Sequence, residues 1–142
     1  MESQPASAPS STGSGAMMFG TFYPKHYVVA VVGDPAEAAR AADDLHAAGF
    51  APEEVEVWSG ERMLANHDTY LRQHRLLGRL GRLLPGDEAL TEAHYLDEAR
   101  AGCTFVLVLA PQPERRERAR RILRAHHGHD LHYYGDRVFM DL

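Results

Sequence analysis

VVAVVGDPAE, residues Val28 to Glu37, sets the frame for the whole chain. Its first five residues are apolar at every position and mostly β-branched, as in a strand buried on both faces. Gly33-Asp34-Pro35 then ends the strand and opens a helix. Asp34 can accept free N–H groups of the first turn, Pro35 fits a position that needs no donor, and Glu37 would complete a capping box. Ala36, Ala39, Ala42 and Leu45 recur at helical spacing and predict the inward face, while Gly49 stands where a left-handed C-cap belongs. Pro52-Glu53-Glu54 turns the chain into Val55-Glu56-Val57-Trp58, an alternating strand. Residues 26–61 are therefore expected to form a βαβ unit.

The unit recurs over residues 103–142. Phe105 to Leu109 is again apolar throughout, Pro111 and Pro113 break it, and Glu114 to His127 reads as a helix with Ala119, Ile122, Leu123 and His126 inward. Gly128 is expected to serve as Gly49 does, and Leu131-His132-Tyr133-Tyr134 matches Val55-Glu56-Val57-Trp58. Two βαβ repeats predict an α+β fold with a ferredoxin-like sheet of four strands, the apolar ones central and the alternating ones lateral.

Residues 62–102 separate the repeats and read as a helical insertion, one helix through about Leu84 and another from about Glu88 to Ala101, broken at Pro85-Gly86. Since both central strands are apolar on both faces, something must cover the second face. The inserted helices are the nearest candidate and a second subunit the next. Residues 1–18 are rich in Ser, Pro, Gly and Ala, and residues 1–22 are expected to be a disordered tail, leaving 23–142 as a single α+β domain.

The totals narrow the function classes. A 142-residue chain suits one domain that buries roughly two thirds of its unfolded surface. Its one cysteine, Cys103, excludes an internal disulfide and a multi-cysteine zinc motif. The net charge of −5 divides unevenly, with −7 on residues 1–70 and +2 on residues 71–142, which argues against general nucleic-acid binding. The start of the chain lacks a basic segment followed by an apolar core, so a cytoplasmic protein is expected.

Several short motifs carry a family resemblance: Leu45-His46-Ala47-Ala48-Gly49-Phe50, the strand exit Val55 to Glu61, the helix-to-strand passage Ala99 to Leu109, and the closing His129-Asp130-Leu131-His132-Tyr133-Tyr134-Gly135. Their order over residues 26–136 resembles the small bacterial general stress proteins, also called heat-induced stress proteins. The resemblance implies a cytoplasmic bacterial protein associated with stress and brings no catalytic residues.

Four histidines fall within seven residues, His126 to His132. A metal site would draw on His127, His129 and His132, provided three or four donors converge at about 2 Å from the ion. Against that, a C-cap at Gly128 would splay His127 from His129, and histidines at a helix C-terminus already favour its dipole. Gly33-Asp34-Pro35 lacks the glycine spacing of a phosphate loop, and Asp34 would oppose an anion. Ser59 has no nucleophile elbow, and Cys103 has no basic neighbour in sequence, so no catalytic residue is assigned.

Arg72, Arg75, Arg79 and Arg82 fall on one helical stripe, with Leu76, Leu80, Leu83 and Leu84 opposite. Such a helix could bind an anionic membrane, a nucleic-acid backbone or a partner, but its leucines also suit the uncovered sheet face. Trp58, His132 and Tyr134 share that face and would form an interface or ligand surface if exposed. The leading expectation is a non-catalytic, stress-associated protein without a cofactor, acting by self-association as a dimer or by binding an unknown protein partner. The alternatives are a small-ligand or metal-binding regulatory module, and a peripheral binder of anionic membrane or nucleic acid.

Overall fold

In the computed structural model, which describes residues 16–18, 21–73, 86–135 and 139–142, the two apolar runs lie side by side. They are β3 (Tyr27–Val32) and β5 (Thr104–Leu109), paired antiparallel from Tyr27↔Leu109 to Val32↔Thr104. Before them come β1 (Ala16–Met18) and β2 (Thr21–Tyr23). Around them run α1 (Pro35–Ala47), a 3₁₀ turn (Pro52–Glu54), β4 (Val55–Trp58), α2 (Gly60–Gln73), α3 (Gly86–Arg100), α4 (Pro113–Ala125), β6 (His129–Tyr134) and β7 (Phe139–Asp141). The fold is α+β, with a five-stranded antiparallel sheet in the order β4-β5-β3-β6-β7.

Each repeat is split by a strand of the other. β3 and β4 flank β5, and β5 and β6 flank β3, so the two strands of each repeat run parallel without touching. The expected sheet of four strands is corrected to five. β7 pairs with β6 through His132↔Asp141, Tyr133↔Met140 and Tyr134↔Phe139 and takes the edge position expected of β6. Its short apolar run serves both layers, Met140 packing on one face of the sheet and Phe139 on the other. A second correction concerns the tail. Residues 16–18 and 21–23 form an antiparallel hairpin whose second strand lies against α2. Residues 1–15 lie outside the described residues.

The alternation of β3 and β5 builds two cores. Val28, Ala30, Val32, Val106 and Val108 face α1 and α4 and meet Ala38, Ala41, Leu45, Ala119 and Leu123. Val29, Val31, Phe105 and Leu107 face the other way and meet Tyr95 and Ala99 of α3, Met63 and Leu64 of α2, Trp58 and Tyr134. The inserted helices therefore cover the second face. Burying side chains of this size contributes about 1.5–3 kcal/mol each. Trp58 and Tyr134 are thus core, and the exposed aromatic face considered from sequence is not formed by them. Close approach of the insertion fixes Gly60, where a Cβ would collide with the Ala99 carbonyl, while Ser59 caps α2 by accepting the Arg62 N–H at 3.1 Å.

The inward face of α1 is Ala38, Ala41 and Leu45, with Ala42 packed at its edge; of the stripe expected, Leu45 and Ala42 reach the core, while Ala38 and Ala41 take the places given to Ala36 and Ala39. Asp34 caps α1 through the Ala36 N–H at 3.0 Å, but Glu37 makes no capping box. Its carboxylate turns instead to Arg40 and to His126 at the end of α4. His126 lies between the two helices, Nδ1 at 2.5 Å from Glu37 and Nε2 at 2.7 Å from Asp44.

Helices α1, α3 and α4 end in one motif. The second residue past the C-cap donates its N–H to the carbonyl five residues back: Phe50 to Leu45, Cys103 to Glu98, Gly128 to Leu123. The residue between is left-handed, Gly49 at φ 107°, Gly102 at φ 92° and His127 at φ 66°. Gly128 is therefore not the left-handed cap expected of it; His127 is. Gly128 is required for closeness, because a Cβ there would lie 2.7 Å from the Leu123 carbonyl oxygen.

Two outcomes follow from these helix ends. His127→Gly should raise stability by about 0.5–1 kcal/mol, the left-handed penalty less the entropy of glycine, whereas Gly128→Ala should lower it by about 1–3 kcal/mol; chemical denaturation measures both. The second outcome concerns pH. Hydrogen bonding first to Asp44 and then to Glu37 raises the His126 pKa, and bonding to Arg40 and then His126 lowers that of Glu37. The histidine contribution is complete below about pH 6.5 and lost as pH rises through the raised folded value; the glutamate contribution is complete above about pH 4.3 and lost as pH falls through the depressed one. The melting-temperature difference between wild type and His126→Gln should be largest between those limits and shrink by about pH 9.

Candidate metal centre

Covering the second sheet face places α3 beside β6, and their facing side chains form a donor cluster. His94 and Glu98 are one helical turn apart, on the same side of α3. Tyr95 and Ala99 follow them in sequence and point into the core. The same turn thus anchors the helix and presents two donors at its edge.

From β6 come His129 and Asp130. Successive strand residues ordinarily point to opposite faces. Here the ladder slips: His132 pairs with Val29 and His129 with Val31, so β6 spends three steps where β3 spends two. Asp130 occupies the resulting bulge with a left-handed backbone at φ 52°. The bulge allows both neighbouring side chains to reach the cluster.

His94 Nε2 lies 2.8 Å from Asp130 Oδ2 and 3.1 Å from Glu98 Oε2. His129 Nε2 lies 3.6 Å from the same Glu98 oxygen and 3.7 Å from the same Asp130 oxygen. Donors bound tetrahedrally to an ion at 2.0–2.2 Å stand about 3.3–3.6 Å apart; the two His94 contacts are shorter than that spacing and the two His129 contacts lie at or just beyond it. The His94 and His129 side chains are 51% and 46% exposed, which leaves the cluster open to solvent. Its hydrogen bond to Asp130, reinforced by the charges of Asp130 and Glu98, raises the His94 pKa.

Glu98 is held from behind. The end of α3 brings Cys103 back to Glu98 through the backbone bond already described, and the Cys103 thiol donates to Glu98 Oε1 at 3.2 Å. One carboxylate oxygen is thereby fixed while the other faces the histidines. Burial first, and the Glu98 carboxylate second, push the Cys103 thiol pKa up.

Of the histidines expected to bind metal, His129 joins this cluster. His127 is an exposed helix-end residue, and His132 lies deeper, its Nδ1 2.9 Å from the Tyr95 hydroxyl. Among the described residues, the set of three whose donor atoms lie within 4.8 Å of one another is His94, Glu98 and Asp130. Sequence reading missed these three. The His94-x-x-x-Glu98 spacing is a visible signal once α3 is known to be a helix, but nothing local announces the bulge at Asp130. Arg72 ends up in the last turn of α2, and Arg75, Arg79 and Arg82 lie outside the described residues. Among the described residues no helix is long and apolar enough to cross a membrane.

Compared with known proteins, the chain matches no protein-family model, no curated protein and no solved structure.

The thiol geometry gives a direct expectation. Cys103 should react with iodoacetamide at neutral pH more slowly than a free cysteine, because less of it is thiolate. Glu98→Gln should speed alkylation of the folded protein, and equal rates in the two proteins would contradict the contact.

Proposed function

We propose that the protein binds a divalent transition-metal ion of the zinc class through His94, Glu98 and Asp130, with His129 as the fourth donor, and acts as a metal-binding regulatory module. The observation that supports this reading most is the convergence of two imidazole nitrogens on the same two carboxylate oxygens. Two carboxylates balance a double positive charge, and mixed imidazole and carboxylate donors suit zinc and its neighbours. Calcium asks for six to eight oxygens and magnesium for an octahedral, mostly oxygen shell, so both fit this set poorly. The solvent-facing side leaves room for water or an anion as a further ligand.

A stress-associated, self-associating protein in a cytoplasmic setting is the second reading, drawn from the motif resemblance. Its contact would fall on edge strand β4, where Val57 at 40% is the exposed large apolar side chain among the described residues. One such residue supports an interface less than three convergent donors with His129 beside them support a cation. For the fold, we read β4-β5-β3-β6 as a ferredoxin-like core extended by β7. The support is the split pairing of the two repeats.

Isothermal titration of the metal-free protein with Zn²⁺ should give one ion per chain. His94→Ala and Glu98→Gln should each weaken it at least about tenfold, since even outer partners of metal ligands are worth that much. His127→Ala should leave it unchanged. Absence of heat, together with unmoved His94 and His129 ring resonances, would reject the reading.

A further inference from the structure

Asp130 is the donor that the backbone works hardest to supply, and the groups around its peptide show what holds it. The Tyr95 hydroxyl lies 2.7 Å from the Asp130 carbonyl oxygen, 3.2 Å from the Val29 carbonyl oxygen across the bulge, and 2.9 Å from His132 Nδ1. A phenol has one proton to give, and both carbonyls can only accept. The shorter contact assigns that proton to Asp130. His132 must then supply the other hydrogen bond, its Nδ1–H donating to the Tyr95 oxygen, with the Asp130 carbonyl also within reach at 3.1 Å. Two polar side chains thus converge on one peptide oxygen.

Their own positions are set by packing. Tyr95 is buried with its ring edge-on to Phe105 at 5.7 Å, and His132 stacks on Phe139 at 5.0 Å. Tyr95 also follows His94 directly in sequence. A left-handed aspartate persists only where its surroundings over-determine it, and here one buried aromatic turn of α3 does so.

We propose that Tyr95 is a positioning residue: its hydroxyl fixes the left-handed Asp130 peptide and so aims the Asp130 carboxylate at His94 and the cation. This rests on the metal-binding reading for its purpose, but the clamp can be read without metal. Tyr95→Phe keeps the ring and deletes only the hydroxyl, which donates to Asp130 and accepts from His132. Zn²⁺ affinity in that variant should fall about 10- to 100-fold, the range for partners that orient a ligand, with one ion still bound per chain. The three-bond HN–Hα coupling of Asp130, which reports φ, should move from its left-handed value in the metal-free protein. Unchanged affinity, or an unchanged coupling, overturns the proposal.

If wild type takes up no Zn²⁺, the metal reading fails, and the coupling decides whether Tyr95 sets the Asp130 backbone. Should Tyr95→Phe fold too poorly to titrate, a thermal double-mutant cycle replaces it. Asp130→Gly adopts the left-handed backbone without a Cβ penalty, so it should recover more melting temperature in the Tyr95→Phe background than in wild type. Equal effects in both backgrounds would show that hydroxyl and bulge are independent, and the proposal would be abandoned.

Discussion

The structure depends on one constraint: β3 and β5 are apolar on both faces and cannot leave either to water. The repeats supply one cover each, α1 and α4, and both lie on the same side of the sheet. The opposite side has to be closed by what lies between the repeats. That makes α2 and α3 part of the core rather than an ornament on a loop, and it explains why Tyr95 and Ala99 are buried against the strands beneath them. Once α3 must lie over Val29, Val31 and Phe105, its edge meets β6, and the donor cluster forms where those two elements touch.

Much of this is legible in sequence, because periodicity reports burial. Five consecutive apolar residues identify β3, the same pattern identifies β5, and together they announce a second covered face. The finer features follow rules with weaker signatures. Half of the α1 stripe is displaced, Ala38 and Ala41 standing in for Ala36 and Ala39, because in an alanine-rich helix several phases look equally apolar. β7 is three residues long, too short for alternation to register. The glycine after α4 suggests a left-handed cap, yet the handedness falls on His127 and the glycine answers a steric demand from Leu123. Composition alone marks residues 16–22 as tail, although three-residue strands pair there, too short for a periodic pattern to register.

The histidine-rich stretch shows why local density misleads. Its four imidazoles take four separate tasks. His126 bridges two carboxylates of α1, His127 absorbs the left-handed turn, His129 enters the donor cluster, and His132 backs Tyr95. Two positive φ angles within four residues, at His127 and Asp130, fan the side chains apart. A donor set needs convergence in space, and convergence here comes from residues 94, 98 and 130, which no window of the sequence contains together.

Because the helix that completes the core also carries two of the proposed donors, the proposed cation binding would be linked to core closure. An ion held by His94, Glu98 and Asp130 can bind tightly only while α3 is seated on the sheet, since displacement of the helix separates the first two donors from the third. Under that proposal, binding would favour the seated form by an amount set by ion concentration relative to the dissociation constant. Conversely, whatever loosens α3 lowers apparent affinity by the fraction of molecules still seated. Tyr95 lies at the centre of this linkage. Its ring belongs to the second core, its hydroxyl to the bulge, and its preceding neighbour to the donor set, so the sheet cover and the site can be perturbed from a single side chain.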